Sequence, residues 1–166
     1  MHHMIDVTKP MEKFLQDYRF RMAKPYLTGD VLDFGGNQGE LGKFVHDGDY
    51  LAVNHDYTPM EGRAFDTIVS LATIEHLEVD DVYLLFWKFR KMLRKNGRIF
   101  ITTPTPAARP ILEFMAAIGV VDKVNIMEHK YYWDEDDLMK LAKDTGFHVL
   151  KYKQFQLGFN QMVVLE

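Results

Sequence analysis

Val31-Leu32-Asp33-Phe34-Gly35-Gly36-Asn37-Gln38-Gly39-Glu40 is the stretch on which the reading of this chain turns. Val31 to Phe34 is a short apolar run of the kind that forms a buried strand. It breaks into three glycines within five residues, and an amphipathic segment, Leu41 to Val45, follows at once. A strand that enters a Gly-rich turn and then opens a helix is suited to a ligand. Glycine lets backbone approach a bound group closely, and the first N–H groups of a helix are unpaired and partly positive.

Working outward, the first strand spans Gly29–Phe34 and a helix is expected over Gly39–His46. Asp47-Gly48-Asp49 turns the chain into a second strand, Tyr50–Asn54. A crossover through a helix implies parallel strands with a right-handed connection. Upstream, Met11, Phe14, Leu15, Tyr18 and Met22 have helical spacing, with Thr8 as a candidate N-cap and Pro10 in the first turn. This helix (residues 1–27 with its flanks) could lid the Gly-rich turn or simply cover the sheet.

Downstream, Phe65–Leu71 reads as a buried strand. Val82, Leu85, Phe89, Met92 and Leu93 form a helical stripe capped by Asp80 or Asp81 and stopped by Gly97. Arg98–Thr103 is the next strand. Ile111–Ile118 is a helix opened by Pro110, the segment Gly119–Lys130 is ambiguous, and Asp134–Thr145 is a capped helix ended by Gly146. Phe147–Phe155 and Asn160–Leu165, joined through Gln156–Phe159, suggest a closing antiparallel hairpin. Alternating strands and helices with such an ending imply an α/β fold: a doubly wound, Rossmann-like, mostly parallel sheet.

The chain has 166 residues, most simply one domain spanning 1–166, with 47% apolar residues and no cysteine. The absence of cysteine excludes disulfides and thiolate metal sites and is compatible with a cytoplasmic setting. No apolar run reaches the length of a membrane span, and the start lacks the features of a secretory leader. A net charge of −4 argues against a nucleic-acid surface. The basic cluster Lys88, Arg90, Lys91, Arg94, Lys95 and Arg98 reads as a solvated helix face.

Two ligand classes compete for the Gly-rich turn. A dinucleotide site wants G-x-G-x-x-G, and Gly35-Gly36-x-x-Gly39 does not meet that spacing. Asp33, just before the glycines, would oppose a pyrophosphate but suits a ligand carrying an ammonium or sulfonium.

Here the sequence resembles a family. Val31–Gly39 is similar to the first motif of the class I S-adenosylmethionine-dependent methyltransferases, D-x-G-x-G-x-G, with Asn37 in place of the middle glycine. Phe65–Ser70 followed by Glu75-His76-Leu77 resembles the family's fourth strand and its E-H continuation. Leu93–Pro104 resembles its helix-G-G-strand-T-P passage, with Asn96 for the first glycine, and Thr145-Gly146-Phe147 its late G-F strand entry.

The resemblance implies S-adenosyl-L-methionine as cofactor and S-adenosyl-L-homocysteine as product. It makes Asp33 the contact near the methionine amino end, with Gly35, Gly36, Asn37 and Gly39 forming the floor beneath methionine and ribose. The acidic residue that ends strand two in the family is replaced by Asn54, which is in register, while Asp56 has the chemistry. Ser70, Leu71 and Ala72 should flank the methyl-bearing end. Between strand two and Phe65 only His55–Ala64 is available, too short for the family's next helix and third strand. A sheet without that strand, in order 2-1-4-5-7-6, is expected. The adenine wall must then come from the His55–Arg63 loop, the N-terminal helix or a second chain, so a homodimer is one solution.

Methyl transfer is an in-line displacement in which positioning does much of the work, and a hydroxyl acceptor must also lose a proton. His76, just past strand four, is the first candidate base. Glu75 could orient it or the acceptor, and His129 is a second candidate. Tyr131 and Tyr132 could wall the acceptor pocket within a 104–133 insertion, and Arg109 and Lys130 could hold an anion, although a solvated role suits them too. Some quinone-biosynthetic relatives bind a divalent ion through E-x-x-E-H. Here Ala72 takes the first carboxylate's place, so no required metal is expected. The function implied is O- or N-methylation of a small-molecule or sugar- or lipid-linked acceptor. The alternative is a non-catalytic binding module of the same fold acting with a partner protein. A nicotinamide-nucleotide binder is a third, weaker option.

Overall fold

The computed structural model describes residues 8–166, with side chains from Pro10 onward. Residues 1–7, and the side chain of Thr8 expected as a cap, lie outside the described residues. α1 (Thr8–Ala23) is followed by β1 (Val31–Phe34), β2 (Tyr50–Val53), β3 (Phe65–Leu71), α2 (Val79–Met92) and β4 (Leu93–Pro104). Then come α3 (Arg109–Ala117), α4 (Lys123–Met127), α5 (Glu135–Asp144), β5 (Val149–Phe155) and β6 (Asn160–Leu165). One six-stranded sheet runs in the order β2-β1-β3-β4-β6-β5. The first four strands are parallel; β6 pairs antiparallel with β4, and β5 with β6. Only a 3₁₀ turn, Thr58–Met60, lies between β2 and β3. The sheet therefore lacks the extra strand, and β2 is its edge, as the short His55–Ala64 segment requires.

Side chains that alternate along each strand divide the core in two. Leu32, Phe34, Ile68, Ile99, Ile101, Val163 and Leu165 pack against α2 and α5, with Trp133 buried among them. Val31, Val69, Phe100, Met162 and Val164 pack on the other face, against Phe20 and Ala23 of α1. The N-terminal helix thus covers a sheet face. Each large side chain withdrawn from water in this way contributes roughly 1.5–3 kcal/mol. At the amino ends of the strands, Arg94 bridges Asp30 at 2.8 Å and Asp66 at 2.6 Å. That ion-pair cluster ties β1 to β3 on the side away from the Gly-rich turn, and the other five residues of the basic cluster are exposed.

Four local expectations need correction. The helix expected over Gly39–His46 is only a 3₁₀ turn, Glu40–Phe44. Gly42 sits in its middle, which costs a helix roughly 0.5–1 kcal/mol, and so short a segment nucleates poorly. The N-cap of α2 is Glu78, with Asp80 and Asp81 already in the first turn. The helix ends before Gly97: Leu93 is already extended, and Asn96, at φ +65°, takes the left-handed position after it. The ambiguous Gly119–Lys130 segment contains α4, capped by the Asp122 carboxylate on the N–H groups of Val124 and Asn125. The C-terminal hairpin forms as expected, although β1 and β5 each begin two residues late.

Candidate functional site

The carboxyl ends of β1, β2, β3 and β4 lie along one edge of the sheet, where an open α/β fold places its ligand. At the end of β1 the Gly35 N–H donates to the Val53 carbonyl at 2.7 Å, closing the turn against β2. Gly35, Asn37 and Gly39 all have positive φ, at +83°, +48° and +81°. A side chain at Gly35 would fall 2.2 Å from Thr73 Oγ1, and one at Gly36 2.5 Å from Asp33 Cγ. The glycines are thus demanded by close approach of the chain's own groups. Asn54, at the end of β2, grips the turn from below: its Oδ1 accepts from the Asn37 N–H and its Nδ2 donates to the Asn37 carbonyl, both at 2.8 Å. Its carboxamide is therefore engaged with backbone. Asp56 is exposed, and its carboxylate accepts from the Thr58 N–H at 2.9 Å.

Asp33 is 2% exposed and accepts a 2.6 Å hydrogen bond from the Tyr50 hydroxyl. Burial pushes its pKa up to about 6, against the help of the Tyr50 bond and with a further push from the charge of Glu40. Glu40 Oε2 is itself buried with no hydrogen-bond partner. Two carboxyl groups brought together, one of them buried, repel each other and call for a donor or a cation. An ammonium group meets both needs. The residues at this turn therefore fit the amino end of a methionine-like ligand better than a phosphate. Neither Tyr50 nor Glu40 stood out in the sequence. Tyr50 opens an apolar strand, and its ring lies over Gly39 and Gly42.

At the end of β3, Ser70 is fully buried and its hydroxyl has no partner. Leu71 packs against the core face covered by α1. Ala72 adopts φ +50°, and its N–H donates to the Thr102 carbonyl at 2.9 Å. This strained residue turns the chain into the 3₁₀ turn Ile74–His76.

That turn carries Glu75 and His76. Glu75 is 1% exposed, and its Oε2 accepts from Thr103 Oγ1 at 3.1 Å. Burial raises its pKa to about 7, although the Thr103 bond and the nearby Arg19 guanidinium of α1 oppose the rise. The Glu75 carbonyl accepts from Lys130 N–H at 2.7 Å and from Tyr131 N–H, which draws the 128–131 segment over the turn. His129 is thereby set edge-on to His76, ring centroids 4.6 Å apart. Its Nδ1 hydrogen-bonds the Tyr132 hydroxyl at 3.0 Å. Burial lowers both histidine pKa values; His129 falls to about 4, with the neighbouring His76 adding to the effect. Glu75, His76 and His129 thus meet, with Thr103, Tyr132 and Arg19 around them. Arg19 was hidden by its place in an amphipathic helix. Thr103 had no signal except its position at the end of a strand.

The aromatic run is divided. Trp133 is core, Tyr132 faces His129, and Tyr131 is at the surface, donating to Asp137 at 3.0 Å. Arg109 and Lys130 are exposed and paired with Glu113 and Glu78. Two shallow clefts lie elsewhere, one lined by α5 and Phe147–Val149, the other by Arg90–Gly97 with His148 and Glu166. Neither includes residues of the Gly-rich turn.

Comparison with known proteins bears on this arrangement. A family described as "Methyltransferase domain" matches residues 7–152. An uncharacterized methyltransferase of Anoxybacillus flavithermus (strain DSM 21510 / WK1) is 29% identical over 109 residues, 63% of this chain. The match spans about half, 49%, of that relative's length. Among solved structures, a SAM-dependent methyltransferase from Archaeoglobus fulgidus superposes with a TM-score of 0.67 at 16% identity, covering 92% of this chain and 93% of the other. The glycopeptide N-methyltransferase MtfA, solved with sinefungin, gives 0.64 at 12% identity over 92% of this chain and 85% of its own. At such identities these two structures speak for the fold alone.

Proposed function

The chain belongs to the methyltransferase domain family, and from that premise we propose that it moves the methyl group of S-adenosyl-L-methionine to a small-molecule or sugar- or lipid-linked acceptor, at oxygen or nitrogen. The observation that carries this reading is the acid pair at the end of β1, with Asp33 buried and Glu40 half-buried. Asp33 and Glu40 present carboxyl groups, one with an unpartnered oxygen, beside a turn where backbone is bare. They would hold the ammonium of the cofactor, with Gly35, Gly36, Asn37 and Gly39 beneath it and Ser70, Leu71 and Ala72 beside its methyl-bearing end. The cofactor supplies an electrophilic methyl on sulfonium; the chain supplies position and proton handling.

Glu75, His76 and His129 stand beyond β3, the side from which an acceptor would enter. At neutral pH the lowered pKa of His129 keeps its imidazole neutral, able to accept a proton. Glu75, near 7, can hold or release one. Asn54 would act on the ribose through the turn it orders, leaving Asp56 as the nearby free-standing acid. Adenine would lie against the His55–Arg63 loop, α1 or a second copy of the chain. No helix among the described residues is long and apolar enough to cross a membrane; a cytoplasmic setting and an acceptor other than nucleic acid complete the proposal.

One observation favours a second reading, a non-catalytic module that acts with a partner protein. The Asn54 carboxamide is bound to the Asn37 backbone and is not free for ribose hydroxyls. A thermal-shift titration with S-adenosyl-L-homocysteine separates the two. Saturable stabilisation supports cofactor binding, whereas none at millimolar concentration rules out the enzyme.

A further inference from the structure

The three polar side chains beyond β3 share a feature that proton transfer alone does not explain. Two of them, Glu75 and His129, are held in place by a hydrogen bond from a neighbour. Thr103 donates to Glu75 Oε2 at 3.1 Å. Tyr132 holds His129 Nδ1 at 3.0 Å, leaving Nε2. His76 is half-buried beside them, its ring edge-on to that of His129. Glu75, His76 and His129 can each offer one ligand atom such that all three lie within 4.8 Å of one another. We propose that Glu75, His76 and His129 form a mononuclear site for a divalent first-row transition ion, with Thr103 and Tyr132 as its outer shell.

Two imidazoles and one carboxylate suit zinc, cobalt, nickel, manganese or ferrous ions, not magnesium or calcium, which prefer oxygen alone. Two donors each about 2.1 Å from a tetrahedral ion stand about 3.4 Å apart, so modest side-chain rotation closes the set. The histidines can make that movement because both are only partly buried, whereas Glu75 is fixed by Thr103. Outer partners that orient ligating imidazoles through the second ring nitrogen are a general property of such centres. Glu75 and His76 adjoin in sequence, but the third donor comes from more than fifty residues away, carried in by the Lys130 N–H bond to the Glu75 carbonyl. That is why sequence reasoning left the pair without a third ligand. Arg19, whose charge reaches Glu75, is the opposing feature. Three protein ligands leave a position open, and an ion there lowers the pKa of a bound hydroxyl. The use of that chemistry on an acceptor rests on the methyl-transfer reading above; the site itself does not.

The test is a Co²⁺ titration of the full chain after chelation, read by visible d–d absorption and by displacement with Zn²⁺. One equivalent should bind saturably and be displaced. His129→Ala and Glu75→Gln should each weaken binding at least about tenfold, and Tyr132→Phe, which removes only an outer partner, by about tenfold or more. His2 and His3 are retained throughout, so an ion held by them would survive in every variant. If Glu75→Gln fails to fold by circular dichroism, His129→Ala, a partly exposed position, decides the matter. Absence of saturable absorption, or absorption unchanged in His129→Ala, overturns the site. Stabilisation by S-adenosyl-L-homocysteine, measured on the same samples, keeps the questions apart. Metal bound without it upholds the site and removes the methyl-transfer reading; the reverse removes the site alone.

Discussion

Asp33→Asn replaces a buried carboxyl with a group of the same shape that cannot ionise, and the consequences can be worked from the structure. Burial raises the Asp33 pKa from the ordinary 3.8 to about 6. At about 1.4 kcal/mol for each tenfold change in proton affinity, the ionised group costs the folded state about 3 kcal/mol at pH 7.5. That figure already includes the opposing help of the Tyr50 hydrogen bond. Removing the ionised group is a gain of about 3 kcal/mol, which for a chain of this size raises Tm by about 6–12 °C. The folded protein binds the Asp33 proton more tightly than the unfolded chain does. Wild type therefore loses stability as pH rises from 3.8 to about 6, and the loss is complete above that window. The gap between variant and wild type should be widest at pH 7.5 and shrink to roughly a third by pH 4.5. Thermal melts of both proteins at the two pH values provide the assay. A variant less stable than wild type at pH 7.5, or a gap indifferent to pH, refutes the reasoning. The same variant should lose stabilisation by S-adenosyl-L-homocysteine, so a residue that weakens the apo-protein is the one that binds.

Three further outcomes follow from named contacts. Gly36→Ala places a methyl 2.5 Å from Asp33 Cγ without changing the sign of φ, and should cost about 1–3 kcal/mol in urea unfolding. Asn54→Ala removes both hydrogen bonds to the Asn37 backbone; a loss of about 1–2 kcal/mol is expected, together with faster amide exchange at Asn37. His76→Ala should leave S-adenosyl-L-homocysteine binding intact and reduce turnover by about 100-fold or more, as measured by methyl transfer to an accepted substrate.

Much of the fold was legible because it rests on periodicity. The apolar runs at Val31 and Phe65 form buried strands and that at Tyr50 a half-buried edge strand, and the short His55–Ala64 segment leaves no room for another. Where the reading failed, about 1 kcal/mol or less decided the outcome. Gly42 reduces an expected helix to a 3₁₀ turn, and Asn96 assumes the left-handed position that Gly97 was expected to supply. The site was half legible. Asp33, the glycines, Glu75 and His76 flank strand ends and can be found by motif. Tyr50, Arg19, Thr103 and the pairing of His129 with His76 depend on which side chains the sheet order brings together, and no local pattern encodes that. Asn54 is the instructive case: the register that suggested a ligand contact also places it within reach of Asn37, and the backbone takes both of its hydrogen-bonding groups.

The central claim is that the acid pair and the Gly-rich turn at the end of β1 receive the amino end of S-adenosyl-L-methionine. Its most direct test is a crystal structure grown with saturating S-adenosyl-L-homocysteine. The account predicts the ligand along residues 35–39, its amino group within hydrogen-bond distance of the Asp33 or Glu40 carboxylate. A turn left empty at saturation, or a ligand bound only in the clefts beside α5 or Arg90–Gly97, would contradict it.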